Sequence, residues 1–285
     1  MASPPLDPQI RVTWNMHWRC NYRCAYCFFD GHWEEYGRRF LSKSTPEWLA
    51  CWSRIQERCG RAAVNITGGE PFVFPDFIAL ACGLSRLHWP INISTNASLL
   101  SDEFMAAADP QRISVSVSFH PGYHQPAPFL ERLRKLRAAG FAGCNNFVAF
   151  PPQLGLLPEL TARFQEIGES LKVVPFIGTF QGRSYPEGYT AEQKKLLGMS
   201  DDWAERKRRK GRPCLAGQRS ALLLPDGNVA RCGQIGDRRI IGNIFDPGFA
   251  FLAQAEPCDV ELCPCDEWKV IPDEKAPDQA GAWIS

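Results

Sequence analysis

The sequence predicts an α/β protein: strand–helix units on a parallel sheet, followed by a small cysteine-rich α+β unit. Three observations predict it. Short stretches rich in Val, Ile, Thr and Phe alternate with helical stretches over the first 180 residues or so. After Gly182 this alternation stops, and from Cys214 onward the chain reads as short strands, turns and cysteines. Of the 12 cysteines, Cys20, Cys24 and Cys27 form one group, and Cys214, Cys232, Cys258, Cys263 and Cys265 form another. The alternation itself allows an open partial barrel or a doubly wound sheet.

The elements follow in order. Strands are expected at Ile10–Met16, Ala62–Thr67, Ile91–Thr95, Ile113–Phe119, Asn146–Phe150 and Leu171–Phe180. Helices are expected at Pro46–Cys59, Asp76–Arg86, Asp102–Ala108, Pro128–Ala139 and Pro158–Glu169, several opening on a capping residue or an early proline, as in Ser44-Thr45-Pro46. Tyr189–Lys210 reads as a helix with a basic end. Leu222–Leu224 and Val229–Arg231 flank the turn Pro225-Asp226-Gly227-Asn228 as a β-hairpin. The expected division is a core over 1–183, a linker with the basic segment over 184–212, and a cysteine-bound unit over 213–285.

A chain of 285 residues suggests about two domains at roughly 150 residues each. Hydrophobic residues at 45% and charged residues at 22% exclude disorder as the dominant state. Lys and Arg (32) balance Asp and Glu (31), so overall charge draws the chain to neither nucleic acid nor anionic membrane. The start, Met-Ala-Ser-Pro-Pro, lacks a signal-peptide pattern, and no apolar run approaches the length of a membrane span. A cytoplasmic protein is expected. Its thiols would stay reduced there, so grouped cysteines read as metal or cluster ligands.

Cys20-Asn-Tyr-Arg-Cys24-Ala-Tyr-Cys27 follows the first strand directly. Three thiolates on one loop suit three irons of a 4Fe–4S cluster and leave the fourth iron open to a further ligand. A zinc site completed by His17 or His32 is the alternative. After the second strand comes Gly68-Gly69-Glu70-Pro71, where two glycines permit close backbone approach and Glu70 offers a carboxylate to an ammonium group. Both signals fall at strand C-terminal ends, where barrels of βα units place their sites.

Together these motifs resemble the radical S-adenosylmethionine (radical SAM) enzymes, which carry a C-x-x-x-C-x-aromatic-C loop and a G-G-E motif. Tyr26 fills the aromatic place. The resemblance covers roughly residues 10–182 and implies a partial (β/α)6 barrel. It implies that SAM chelates the open iron through its amino and carboxylate groups, with Gly68, Gly69 and Glu70 near the amino group and Tyr26 at the adenine. Asn96, ending the third strand, matches a place that contacts the ribose or methionine part of SAM, and Ser118, ending the fourth, matches a polar place that binds the ribose. The resemblance also implies reductive cleavage of SAM to a 5′-deoxyadenosyl radical, which takes a hydrogen atom from a substrate carbon. An electron donor such as a flavodoxin or ferredoxin would then be a partner.

In the second group, Cys214, Gly227 and Cys232 form a C-x12-G-x4-C unit. It resembles the opening of the SPASM and twitch auxiliary-cluster domains. A full SPASM domain has seven cysteines; this chain has five from Cys214 onward, closer to the shortened twitch type with one auxiliary 4Fe–4S cluster. Cys214 and Cys232 are expected ligands, and Cys258, Cys263 and Cys265 compete for two further places.

Other residues read more plainly. His120 follows strand four and is a candidate for substrate contact or proton transfer; Gln181 and Arg183 follow strand six, and the arginine suits a carboxylate or phosphate. His124 is a weaker candidate. Cys51, Cys59, Cys82 and Cys144 read as small core residues. The run Arg206-Lys207-Arg208-Arg209-Lys210 with Arg212 reads as a solvated helix end. Phe28, Phe29, Trp33, Tyr36 and Phe40 read as a cover over the cluster. The activity expected first is a two-electron dehydrogenation of a small molecule such as a sugar or aminocyclitol, because no leader-binding domain fits ahead of the first strand. The alternative is a peptide maturase that makes a cross-link or oxidation. A zinc protein that binds nucleic acid through its basic run is the remote reading.

Overall fold

The structure is a computed structural model that describes residues 10–27, 43–200, 208, 210–233, 239–261 and 263. The first strands are β1 (Ile10–His17), β2 (Ala62–Gly68), β3 (Ile91–Thr95), β4 (Ile113–Ser118), β5 (Asn145–Ala149) and β6 (Lys172–Pro175). Between them lie α1 (Thr45–Cys59), α2 (Phe77–Leu87), α3 (Asp102–Ala107), α4 (Pro126–Ala138) and α5 (Leu157–Gln165). The six strands pair in chain order, all parallel. A doubly wound sheet would reverse direction partway through these units. Unbroken order with right-handed crossovers instead puts the helices on one face and leaves the other concave. The sheet is a partial barrel: β6 ends the order on one side, and β1 does not meet it.

Strand sequence decides the two faces, because side chains alternate. In β3, Ile91 and Ile93 are buried toward the helices, while Asn92 and Ser94 are half-buried on the other face. In β1, Val12, Trp14 and Met16 face the core; Trp14 packs on Trp48 and Trp52 of α1, with ring centroids at 4.6 and 5.5 Å. The middle of the concave face is polar. Asn92 Nδ2 donates to Asn65 Oδ1 (2.7 Å), and Ser116 Oγ donates to Asn92 Oδ1 (2.8 Å). α1 begins where the sequence predicts, with the Glu47 carboxylate accepting the Ser44 backbone N–H at 2.9 Å.

Two expectations are corrected. Leu171–Phe180 is not one strand. After β6 the Phe176 N–H leaves the ladder and donates to the Tyr189 hydroxyl (2.8 Å), which itself donates to the Ala149 carbonyl (2.6 Å). The chain then forms a separate hairpin, β7 (Gly178–Phe180) and β8 (Arg183–Tyr185). The helix expected over Tyr189–Lys210 is short. Tyr189 is buried ahead of α6 (Ala191–Leu196), and Gly198 at φ +61° breaks the helical path. Residues 201–207 and 209 of that stretch lie outside the described residues. Of the basic run, Lys210 makes an ion pair with Glu261 at 2.6 Å.

The remaining strands are β9 (Pro213–Cys214), β10 (Ser220–Leu223), β11 (Asn228–Ala230), β12 (Ile240–Asn243) and β13 (Glu256–Pro257). β10 pairs in parallel along the free edge of β1, and β11 and β12 continue the sheet antiparallel. The predicted hairpin is therefore present, and it extends the barrel sheet. Its turn needs Gly227, at φ +85°, because a Cβ there would stand 2.8 Å from Asn243 Oδ1 and collide with the Phe245 ring. No helix among the described residues is long and apolar enough to cross a membrane.

Candidate active site

Parallel strands bring their C-terminal ends to one edge, so the segments after β1 to β5 meet there. The loop after β1 carries Cys20, Cys24 and Cys27, all of intermediate burial. Burial pushes the Cys24 thiol up to about 12, and the neighbouring Cys27 and Cys20 push it further in that direction. Burial likewise raises Cys20. Among the described residues no three Cys, His, Asp or Glu side chains converge on a single-ion position. Three thiols on one loop are a donor set that suits an iron–sulfur cluster with one iron left open.

The Gly68-Gly69-Glu70 segment locks onto this loop. Gly69 N–H donates to the His17 carbonyl (2.7 Å) and Glu70 N–H to the Arg19 carbonyl (2.8 Å). A Cβ on Gly68 would lie 2.6 Å from the His17 oxygen, and one on Gly69 would overlap the Arg19 carbonyl. Glu70 is 1% exposed, and burial raises its carboxyl above the usual range. Its oxygens accept from the Thr95 hydroxyl (2.6 Å), the Asn96 N–H (2.7 Å) and, more weakly, the Phe72 N–H (3.3 Å). Glu70 thus ties the end of β2 to the end of β3. Asn96 passes the connection on: its Nδ2 donates to Asn21 Oδ1 (2.9 Å), and its Oδ1 accepts from the Ser98 hydroxyl (2.6 Å). Asn21 returns the bond to Ser98 Oγ (2.8 Å).

The turn after β4 grips the loop from the other side. Tyr22 stacks on Tyr123 with centroids 4.0 Å apart, and the Arg23 N–H donates to the Tyr123 hydroxyl (2.7 Å). His124 Nδ1 accepts the His120 N–H (3.0 Å), so His124 carries its proton on Nε2, which faces the Tyr22 hydroxyl at 3.1 Å. His120 Nδ1 lies 2.9 Å from the Tyr26 hydroxyl and 3.5 Å from Cys24 Sγ. Burial holds both His120 and His124 down to about 4, so both are neutral at pH 7. The Tyr26 ring lies between His120 and Phe150, with centroids at 5.9 and 5.5 Å.

Ser118 ends β4 opposite Asn146 of β5, at the same edge. Gln181 and Arg183 are exposed on the β7–β8 hairpin, Gln181 in its turn at φ +48°. Residues 28–42, which include Phe28, Phe29, His32, Trp33, Tyr36 and Phe40, lie outside the described residues. Cys51 is buried with its thiol toward the Ile244 carbonyl (3.2 Å), and Cys59, Cys82 and Cys144 are half-buried.

The second cysteine group is drawn together by strand pairing. Cys214 on β9 pairs with Glu256 on β13, and Cys258 N–H donates to the Arg212 carbonyl (2.9 Å). Arg231, adjacent to Cys232, is 2% exposed. Its guanidinium donates to the carbonyls of Ala216 (3.1 Å) and Glu256 (2.7 Å) and to Asp259 (3.2 Å). One side chain therefore fastens the segments bearing Cys214, Cys232 and Cys258. Cys263 is buried, and Cys265 lies outside the described residues.

Sequence reasoning missed Asn21, Tyr22, Ser98, Tyr123 and Arg231. The only signals were polar and aromatic side chains at the x positions of the cysteine loop and a charged residue ending an apolar hairpin strand.

A partial barrel with a three-cysteine loop locked to a Gly-Gly-Glu strand end defines a cluster-dependent, SAM-binding enzyme class. Residues 14–154 match the Radical SAM superfamily, and the chain belongs to that superfamily, whose members bind a 4Fe–4S cluster and SAM. It is 27% identical over 281 residues to mycofactocin maturase MftC of Mycobacterium ulcerans, covering 85% of this chain and 73% of that protein. It is 24% identical over 262 residues to the PqqA peptide cyclase of Gluconobacter oxydans, covering 81% and 71%. Its fold is similar to that of Streptococcus suis SuiB, with a TM-score of 0.62 at 15% identity, covering 83% of this chain and 63% of SuiB.

Proposed function

We propose that this radical SAM enzyme is a peptide maturase that takes a hydrogen atom from a carbon of a peptide and completes an oxidation or cross-link. The observation that carries this reading is the reach of the likeness to MftC, over 85% of the chain and so beyond the 14–154 region shared by the superfamily at large. The likeness to the PqqA peptide cyclase also reaches beyond that region, over 81% of the chain. The maturase alternative of the sequence reading therefore has better support than the dehydrogenation of a small molecule placed first.

Cys20, Cys24 and Cys27 would hold the cluster, with Gly68, Gly69, Glu70, Asn96, Ser118 and Tyr26 around SAM. Bound there, cluster and SAM supply the 5′-deoxyadenosyl radical, which becomes 5′-deoxyadenosine on taking hydrogen. The chain's own part is to hold the loop rigid, keep water out and present the substrate. The concave face offers the amide and hydroxyl groups of Asn65, Asn92 and Ser116, which suit peptide groups of the substrate. Cys214, Cys232 and two of Cys258, Cys263 and Cys265 would hold an auxiliary 4Fe–4S cluster that accepts the second electron of the oxidation, the first leaving with the hydrogen atom; a flavodoxin or ferredoxin would supply the separate electron for reductive cleavage of SAM. The proposed division is a core to residue 183, a connector to 212 and an auxiliary unit beyond, whose first hairpin is built onto the barrel sheet.

The test uses anaerobically reconstituted protein, SAM, reductant and short peptides encoded beside its gene. A product peptide lighter by two hydrogen atoms, formed with 5′-deoxyadenosine, supports the reading. 5′-Deoxyadenosine without peptide change, together with oxidation of a sugar or aminocyclitol, replaces it with the small-molecule reading.

A further inference from the structure

We propose that His120 is a positioning residue of the cysteine loop whose Nδ1, shared between Cys24 Sγ and the Tyr26 hydroxyl, holds that ligand and raises the electron affinity of the cluster bound there. The proposal rests on the cluster reading of Cys20, Cys24 and Cys27. Nothing in the chemistry of three thiolates requires a histidine beside one of them. Yet the structure places a single ring nitrogen 3.5 Å from one ligand sulfur and 2.9 Å from the hydroxyl of the aromatic residue in the same loop.

The ring is not free to turn away. Its backbone N–H is tied to His124 Nδ1 (3.0 Å), His124 faces the Tyr22 hydroxyl (3.1 Å), and Tyr123 carries both the Tyr22 ring and the Arg23 N–H. The His120 ring lies nearly parallel to that of Tyr26, at 18°. The turn after β4 is thereby one unit with the loop after β1, although about 100 residues separate them. A thiolate only accepts hydrogen bonds, so beside a loaded cluster the ring proton sits on Nδ1 and points at sulfur. Hydrogen bonds to ligand sulfurs favour the reduced, more negative cluster.

Metal content and reduction midpoint of the SAM-binding cluster, followed by electron paramagnetic resonance on the reconstituted full chain, test this. His120→Leu removes the donor; His120→Asn keeps an N–H near the position of Nδ1. His120→Leu should retain iron and shift its equilibrium about tenfold toward the oxidised form, roughly 59 mV for one electron. His120→Asn should recover at least half of that shift. A midpoint in His120→Leu equal to that of the wild type overturns the proposal while leaving the cluster reading intact. A wild-type chain that takes up no iron overturns both. Should His120→Leu fail to take up iron, recovery of iron in His120→Asn supports the holding role, and failure in both variants overturns it.

Discussion

Gly69 and Arg19 are pressed together at the ends of neighbouring strands, the glycine Cα facing the arginine carbonyl so closely that no Cβ fits between them. The second glycine of the motif is therefore demanded by the protein's own cysteine loop. Gly69→Ala must displace the backbone that carries Cys20. The expected cost is about 1–3 kcal/mol of stability, as for other overpacked sites, with loss of iron uptake. Thermal unfolding and iron content check it, with Gly155→Ala, whose Cβ meets nothing within 4 Å, as the unaffected control.

Glu70→Gln should also destabilise. The carboxylate accepts the Thr95 hydroxyl on one oxygen and the Asn96 N–H on the other. An amide turns one acceptor into a donor facing a donor. Leaving such a buried group unsatisfied costs roughly 1–3 kcal/mol, read as a lowered urea midpoint at unchanged slope.

Arg231→Met should separate the two cysteine groups. The guanidinium is the common partner of Ala216, Glu256 and Asp259. Without it the segments of Cys214, Cys232 and Cys258 lose their shared fastening, while the loop after β1 is untouched. Iron per chain is expected to fall from about eight to about four, the content of one 4Fe–4S cluster. Retention of about eight irons would deny the residue this role.

Stability should fall with pH below neutrality, in part through His88. This ring is fully buried; Nδ1 accepts the Ala62 N–H (2.9 Å), and Nε2 faces the Trp52 carbonyl (2.9 Å). Burial lowers its pKa, so the folded chain resists a proton that the unfolded chain takes up near pH 6.5. The stabilisation is full above that pH and is lost as pH falls toward the folded value, by at most about 1.4 kcal/mol per pH unit. His88→Asn should flatten the slope of unfolding free energy between pH 6.5 and 5. His17, shifted in the same direction to about 4, leaves part of the slope in place.

The amino-acid sequence alone determined the alternation of strands and helices, the parallel sheet and the segments that meet at the strand ends. It did so because apolar periodicity and turn residues act over a few residues and are written locally. The spacing of Cys20, Cys24 and Cys27 and the Gly-Gly-Glu motif are local in the same way. Tertiary structure decided the rest. That Leu171–Phe180 breaks in two depends on Tyr189 taking the Phe176 N–H from a distance of 13 residues. That the hairpin from Ser220 onward joins β1 depends on an edge left unpaired when the barrel stays open. The grip of Tyr123 and His124 on the cysteine loop, and of Arg231 on three cysteine-bearing segments, joins residues whose chain separation carries no period. Such pairings follow only from which strand ends come to lie side by side.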